Sequence, residues 1–151
     1  MKAVEIKKTG GPEVLEVKDI TLDKPSPDQV TIEQKAIGLN YIDTYHRSGL
    51  YPLKMPSGIG LEGAGVITEV GENVKDFKVG DKISYAGIPL GSYSSHRNYP
   101  TKNLVKVPEV IDLEVAATLM TKGLTTFYLL HKTFTVKSGQ TILFHAAAGG
   151  V

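Results

Sequence analysis

The chain of 151 residues contains no cysteine. That one absence removes disulfides, cysteine-ligated zinc, iron–sulfur clusters and a thiol nucleophile. No apolar run approaches the roughly 18 residues of a membrane span. The N-terminus, Met1 to Lys8, alternates apolar and charged residues and has neither the apolar stretch nor the cleavage pattern of a secretory signal. An excess of charge of either sign is missing too. There are 17 basic and 16 acidic residues, the formal net charge is +1, and no basic stripe forms. Nucleic acid therefore has no electrostatic footprint to meet. The expected setting is a soluble, cytoplasmic protein without a nucleic-acid or membrane partner. What is present is an ordinary globular composition, 41% hydrophobic and 22% charged, long enough to bury a core unaided.

Residues 1–107 read as short strands and turns. Val4 and Ile6 alternate with charges, Val14, Leu15 and Val17 predict a second strand after the Gly10-Gly11-Pro12 turn, and Val30, Ile32, Ala36 and Ile37 predict a third. Most of the 16 glycines lie before residue 92 and are densest between Gly58 and Gly87, among β-branched runs such as Val66-Ile67-Thr68. That density suits a tightly curved, bulged sheet or partial barrel. One segment differs. From Asn40 to Gly49 the pattern predicts a short helix, with Asp43 capping it or near its start and Gly49 just past its end.

After Pro108 the texture changes. Asp112 to Met120 and Gly123 to His131 are rich in Ala, Leu and Met and predict two consecutive helices, the first capped by Asp112. Ser138-Gly139-Gln140 then turns into an apolar run, Thr141 to His145, that predicts a buried strand. An all-β block followed by helix, strand and a glycine loop predicts a second, α/β domain that has only begun. Domains finish in polar, exposed segments. The ending Ala146-Ala147-Ala148-Gly149-Gly150-Val151 does not, and the expectation is a chain cut from a longer one.

Three constellations bear on chemistry, and each has two readings. Ala147-Ala148-Gly149-Gly150-Val151 directly after a strand lets backbone approach a pyrophosphate, or is a plain tight turn. Asn40, Asp43 and Arg47 fall on one helix face near Tyr45 and Tyr51. Phenols can orient a carbonyl or donate a proton, and an arginine can stabilise oxyanion charge. Alternatively Asp43–Arg47 is a surface i,i+4 pair and the tyrosines are packing residues. Glu62, inside Gly60-Leu61-Glu62-Gly63-Ala64-Gly65, needs a partner, and a structural ion pair is the expectation. The four histidines, His46, His96, His131 and His145, show no metal-ligand spacing, and His46 beside Arg47 is expected in solvent.

Three motifs carry a family resemblance along the entire chain, from the Gly10-Gly11-Pro12-Glu13-Val14-Leu15 opening onward. They are Asn40-Tyr41-Ile42-Asp43-Thr44-Tyr45-His46-Arg47-Ser48-Gly49-Leu50-Tyr51-Pro52, Glu62 to Gly71 with Val79-Gly80-Asp81, and Gly139-Gln140 to Val151. With these the chain resembles the quinone oxidoreductase, zeta-crystallin-like branch of the medium-chain dehydrogenase/reductase superfamily. The resemblance implies a mainly β, GroES-like partial barrel with short helices over residues 1–122, incomplete here. It implies the first elements of a Rossmann domain over 123–151. It implies NADPH in the cleft between them, in a parent that is a homodimer of about twice this length. Asn40 and Thr125 resemble residues beside the nicotinamide, Tyr45 and Tyr51 residues lining the quinone site. Gly149, Gly150 and Val151 resemble the pyrophosphate loop, and Asp43 and Arg47 supporting residues of the helix. Zinc-dependent members of the superfamily use a histidine where this chain has Leu61, and cysteines it does not possess, so no metal is expected.

The expectation for the parent is therefore zinc-independent hydride transfer from NADPH to a small quinone, with Asn40, Tyr45 and Tyr51 at the reacting centre. An enone or alkenal acceptor is one alternative. A non-catalytic structural or RNA-binding role, as in zeta-crystallin-like proteins, is another, and balanced charge weighs against RNA.

Overall fold

Alternation sets the core. Val30 and Ile32 lie two apart on one strand, Ile67 faces them from the next, and Ile83, Tyr85, Tyr99 and Leu104 complete one buried cluster. A computed structural model describes all residues, 1–151. Eight strands carry the fold: β1 (Lys2–Ile6), β2 (Glu16–Asp19), β3 (Gln29–Gly38), β4 (Ser57–Gly58), β5 (Glu62–Val70), β6 (Lys82–Ala86), β7 (His96–Pro100) and β8 (Leu104–Lys106). Two helices accompany them, α1 (Tyr41–Ser48) and α2 (Leu113–Tyr128). The strands form an antiparallel three-stranded sheet, β2-β1-β4, and a five-stranded sheet, β7-β3-β5-β6-β8. A bridge from Ala3 to Ser94 links the two. The mainly β expectation is met.

The predicted bulges are there. The β3–β5 register shifts between Thr31 and Ile32 and again between Gln34 and Ala36. Gly65 faces the second shift, where an added Cβ would sit 2.2 Å from the Glu33 carbonyl oxygen. Only glycine lets the strands approach so closely. Ile67 is fully buried beneath this crossing. Ile67→Val removes one methylene from that core and is expected to cost about 1 kcal/mol in urea denaturation. An unchanged midpoint would mean the cluster is loosely packed.

Four sequence expectations change. The run predicted as the second strand begins as a single 3₁₀ turn, Pro12–Val14, with the strand starting only at Glu16. Pro12 at the head of that turn lacks the donor a strand requires. The two predicted helices are one. α2 continues through Lys122-Gly123 and ends in a π-turn at Leu129–Thr133. One glycine lowers helix stability by only about 1 kcal/mol and does not break it. Asp112 occupies the N-cap position of α2, but its side chain makes no capping bond. Finally, Thr141 to His145 is not a strand, and Ile142, Leu143 and Phe144 are exposed. A parallel strand exists only through its neighbours, and no other strand of the chain reaches these residues. No helix is long and apolar enough to cross a membrane.

Candidate functional site

Glu62 opens β5 and is fully buried. A carboxylate there needs compensation from every side, and it has it. Oε2 accepts from the Asn40 amide nitrogen at 2.7 Å, and Oε1 accepts from the Thr121 backbone N–H at 2.7 Å. The Lys122 ammonium lies 3.8 Å from Oε2. The expected ion pair is therefore real, with an amide and a helix N–H joined to it. Lys122 also donates to Asn40 Oδ1 at 3.2 Å and to the Leu39 carbonyl at 3.3 Å. Lys122 is the member of this cluster that the sequence motifs do not single out. Its signal was there, as a lone charge in the apolar helix from Ala116 to Phe127.

Asn40 is the N-cap of α1, and Gly49 ends it with φ of 89°, as expected. The Asn40 backbone N–H donates to Asp43 Oδ2 at 3.0 Å. The Tyr93 hydroxyl donates to the same oxygen at 2.8 Å. Burial first, and then this bond, push the Tyr93 phenol above its ordinary pKa. It stays protonated and pins Asp43. Asp43 is buried, with Oδ1 unpartnered, and makes no ion pair with Arg47, whose Nε instead donates to the Gly10 carbonyl at 3.3 Å. The surface-pair alternative fails because this face of α1 turns inward. Arg47 and Asp43 support α1 from its two ends, through separate partners.

Tyr45 and Tyr51 do come together. Their rings meet edge to face at 5.4 Å, and Tyr41 packs on Tyr45 at 5.3 Å in the same way. His46, expected in solvent, is half-buried, with its ring 6.0 Å from that of Tyr51. The result is an aromatic ladder, open to solvent at Tyr41 and Tyr51, running from the helix that Asn40 caps into the segment just past its end.

Thr125 lies one turn beyond Thr121 and donates its hydroxyl to the Thr121 carbonyl at 2.6 Å. The glycine loop closes on the same stretch of α2. Gly149 N–H donates to the Ala146 carbonyl at 2.7 Å, and an added Cβ on Gly150 would sit 2.8 Å from Lys122 Cε. Lys122 thus joins the loop to Asn40 and Glu62, while the last residue, Val151, is partly exposed. No three His, Asp or Glu side chains gather as a ligand set for a metal ion, and the position before Glu62 holds the hydrocarbon of Leu61.

The geometry has close counterparts. The family model of the alcohol dehydrogenase GroES-like domain matches residues 26–109. A quinone oxidoreductase of Pseudomonas aeruginosa is 53% identical over 99% of this chain and 46% of its own length. A crystal structure of a quinone oxidoreductase from Pseudomonas syringae pv. tomato superposes with a TM-score of 0.95 at 54% identity, over 99% of this chain and 46% of that one. The Escherichia coli quinone oxidoreductase, complexed with NADPH, superposes with a TM-score of 0.89 at 46% identity, over 91% and 42%. The chain spans about half the length of the curated relatives it matches. The chain belongs to the alcohol dehydrogenase GroES-like domain family, in the quinone oxidoreductase branch of the medium-chain dehydrogenases/reductases.

Proposed function

We propose that the full-length protein is a zinc-independent, NADPH-dependent quinone reductase working by hydride transfer. One observation carries the reading: the glycine loop at Gly149-Gly150 rests on Lys122, which also holds Asn40, the cap of the helix that bears Tyr45, and Tyr51 packs on Tyr45 from just beyond the helix end. The residues fit one side of a dinucleotide. Backbone without Cβ atoms at Gly149 and Gly150, with the N–H of Val151 next to it, suits a pyrophosphate, and the polar groups of Asn40 and Thr125 suit a nicotinamide. Bound NADPH would supply a hydride from its nicotinamide. Tyr45 and Tyr51 would hold a flat acceptor by edge and face contacts, and one phenol would hydrogen-bond to the oxygen that gains charge. Asp43 and Arg47 keep that helix in place. Zinc-independence rests on the donor set: no cysteine, and Leu61 before Glu62. A β domain over residues 1–122, a cofactor domain beginning at 123, a cytoplasmic setting and a homodimer complete the proposal.

The test is NADPH oxidation with 1,4-benzoquinone and with enones, in buffer containing a chelator. Expected is chelator-resistant turnover of the quinone by the full-length protein. Tyr45→Phe and Tyr51→Phe each should retain the fold, and the one that loses about tenfold in kcat/KM identifies the contacting phenol. Turnover of enones alone would reassign the acceptor. No turnover of either would sink the reading.

A further inference from the structure

We infer that Glu62 and Lys122 are a pair of positioning residues that hold the Asn40 amide in a single orientation toward the nicotinamide. The inference rests on the function proposed above and extends it to two residues outside the expected site. An asparagine amide has two ends of nearly equal shape and opposite hydrogen-bonding character. Left alone it can flip. Here Nδ2 donates to the Glu62 carboxylate and Oδ1 accepts from the Lys122 ammonium. A flip would set oxygen against carboxylate and N–H against ammonium, so both contacts would turn repulsive at once. Each partner is charged, which makes the preference stronger than neutral partners would give.

The partners cannot drift to follow a flip. Glu62 is fully buried with both oxygens engaged, one of them by the Thr121 N–H. Gly38 packs over it so closely that a Cβ there would sit 2.8 Å from Glu62 Cγ. Lys122 has a carbonyl, an amide oxygen and a carboxylate around its ammonium, and Gly150 against its stem. What remains free on Asn40 is a lone pair on Oδ1 and an Nδ2 hydrogen with only a 3.5 Å contact to the Gly38 carbonyl. That is a fixed acceptor and donor side by side, the complement of a primary carboxamide, which is the polar group a nicotinamide ring carries. Neither Glu62 nor Lys122 needs to touch the reacting atoms.

The experiment compares Glu62→Gln, Lys122→Met and Lys122→Arg in the full-length protein. Steady-state kinetics with 1,4-benzoquinone are read beside NADPH affinity and hydrogen exchange of the Asn40 side-chain amide by NMR. Lys122→Met keeps the stem under Gly150 and removes the ammonium. It should lower kcat about tenfold while NADPH affinity moves less than about threefold, and Lys122→Arg should recover part of the loss. A structural role alone would not separate kcat from binding in this way. The Asn40 amide protons should exchange at least about tenfold faster in Glu62→Gln and Lys122→Met than in the unaltered protein. Should Glu62→Gln fail to fold, Lys122→Met decides, because its side chain is partly exposed. An unchanged Asn40 exchange rate, or an unchanged kcat in Lys122→Met, would overturn the inference. Absence of quinone turnover in the unaltered protein would overturn the proposed function instead, and the exchange measurement would still decide this one.

Discussion

Gly38→Ala is expected to destabilise the protein by about 3 kcal/mol or more and to pull α2 off the sheet. The reason is packing, not backbone conformation, since Gly38 is not among the positive-φ glycines. A Cβ at this position would lie 2.2 Å from the Ala117 carbonyl oxygen and 2.7 Å from Glu62 Oε2. Neither neighbour is the loose end of a flexible chain. Ala117 is helix backbone with its side chain fully buried beside Ala64, and Glu62 is locked. Relief requires α2 to retreat. Retreat stretches the Ser84 hydroxyl bond to the Ala116 carbonyl, now 2.9 Å, and the Thr121 N–H bond to Glu62. Urea denaturation reads the loss. The control is Gly123→Ala on the same helix, where a Cβ meets nothing. That change is expected to stabilise by about 0.5 to 1 kcal/mol, because alanine is the better helix former. Opposite signs for two Gly→Ala changes would locate the crowding at the β3–α2 contact. Two small effects would mean that α2 rides loosely on the sheet.

That same contact shows what the sequence could and could not disclose. Local rules reached the elements. Apolar spacing marked β3, a β-branched run between glycines marked β5, the C′ glycine marked the end of α1, and glycine density marked the bulged crossing. The need of Glu62 for a partner was also legible, because burying a carboxylate in a glycine-rich apolar stretch demands one whatever the fold. Its partners were not. Asn40 and Lys122 come from α1 and α2, and only the register of β3 on β5 brings them to one carboxylate. Asp43 shows the same limit from the other side. Its spacing to Arg47 matches a surface pair, yet the partner it takes is Tyr93, 50 positions away. Spacing along a helix says which side chains are neighbours, and burial decides whether they meet. Thr141 to His145 is a further case. Its apolar β-type pattern is plain, but a parallel strand has no meaning without the strands beside it.

Arg97 makes the point about distant partners in energetic terms, and its loss is expected to cost about 3 kcal/mol. No sequence rule marks it, lying on β7 between His96 and Asn98, yet it is buried. Its guanidinium lies over a packed pair of tyrosine rings, themselves 4.2 Å apart, at 5.2 Å from the centroid of Tyr85 and 4.6 Å from that of Tyr99. Its nitrogens donate to the Pro89 carbonyl at 2.6 Å, the Leu90 carbonyl at 3.1 Å and Ser92 Oγ at 3.2 Å. A planar fork satisfies all of these together. Arg97→Ala would leave buried oxygens without donors and a void beside the paired rings of Tyr85 and Tyr99. Arg97→Lys tests the fork itself. One ammonium keeps the charge but cannot stack or reach every acceptor, so about 2 kcal/mol of the loss should persist. Full stability in Arg97→Lys would show that charge alone suffices. The effect should also reach the site. The segment held by Arg97 leads directly into Tyr93, which pins Asp43, which in turn accepts from the Asn40 N–H. Activity of Arg97→Lys, measured well below its melting temperature, should therefore fall while the residues around Asn40 are chemically unaltered. Unimpaired activity in a destabilised variant would show that Asp43 holds α1 without help from the loop.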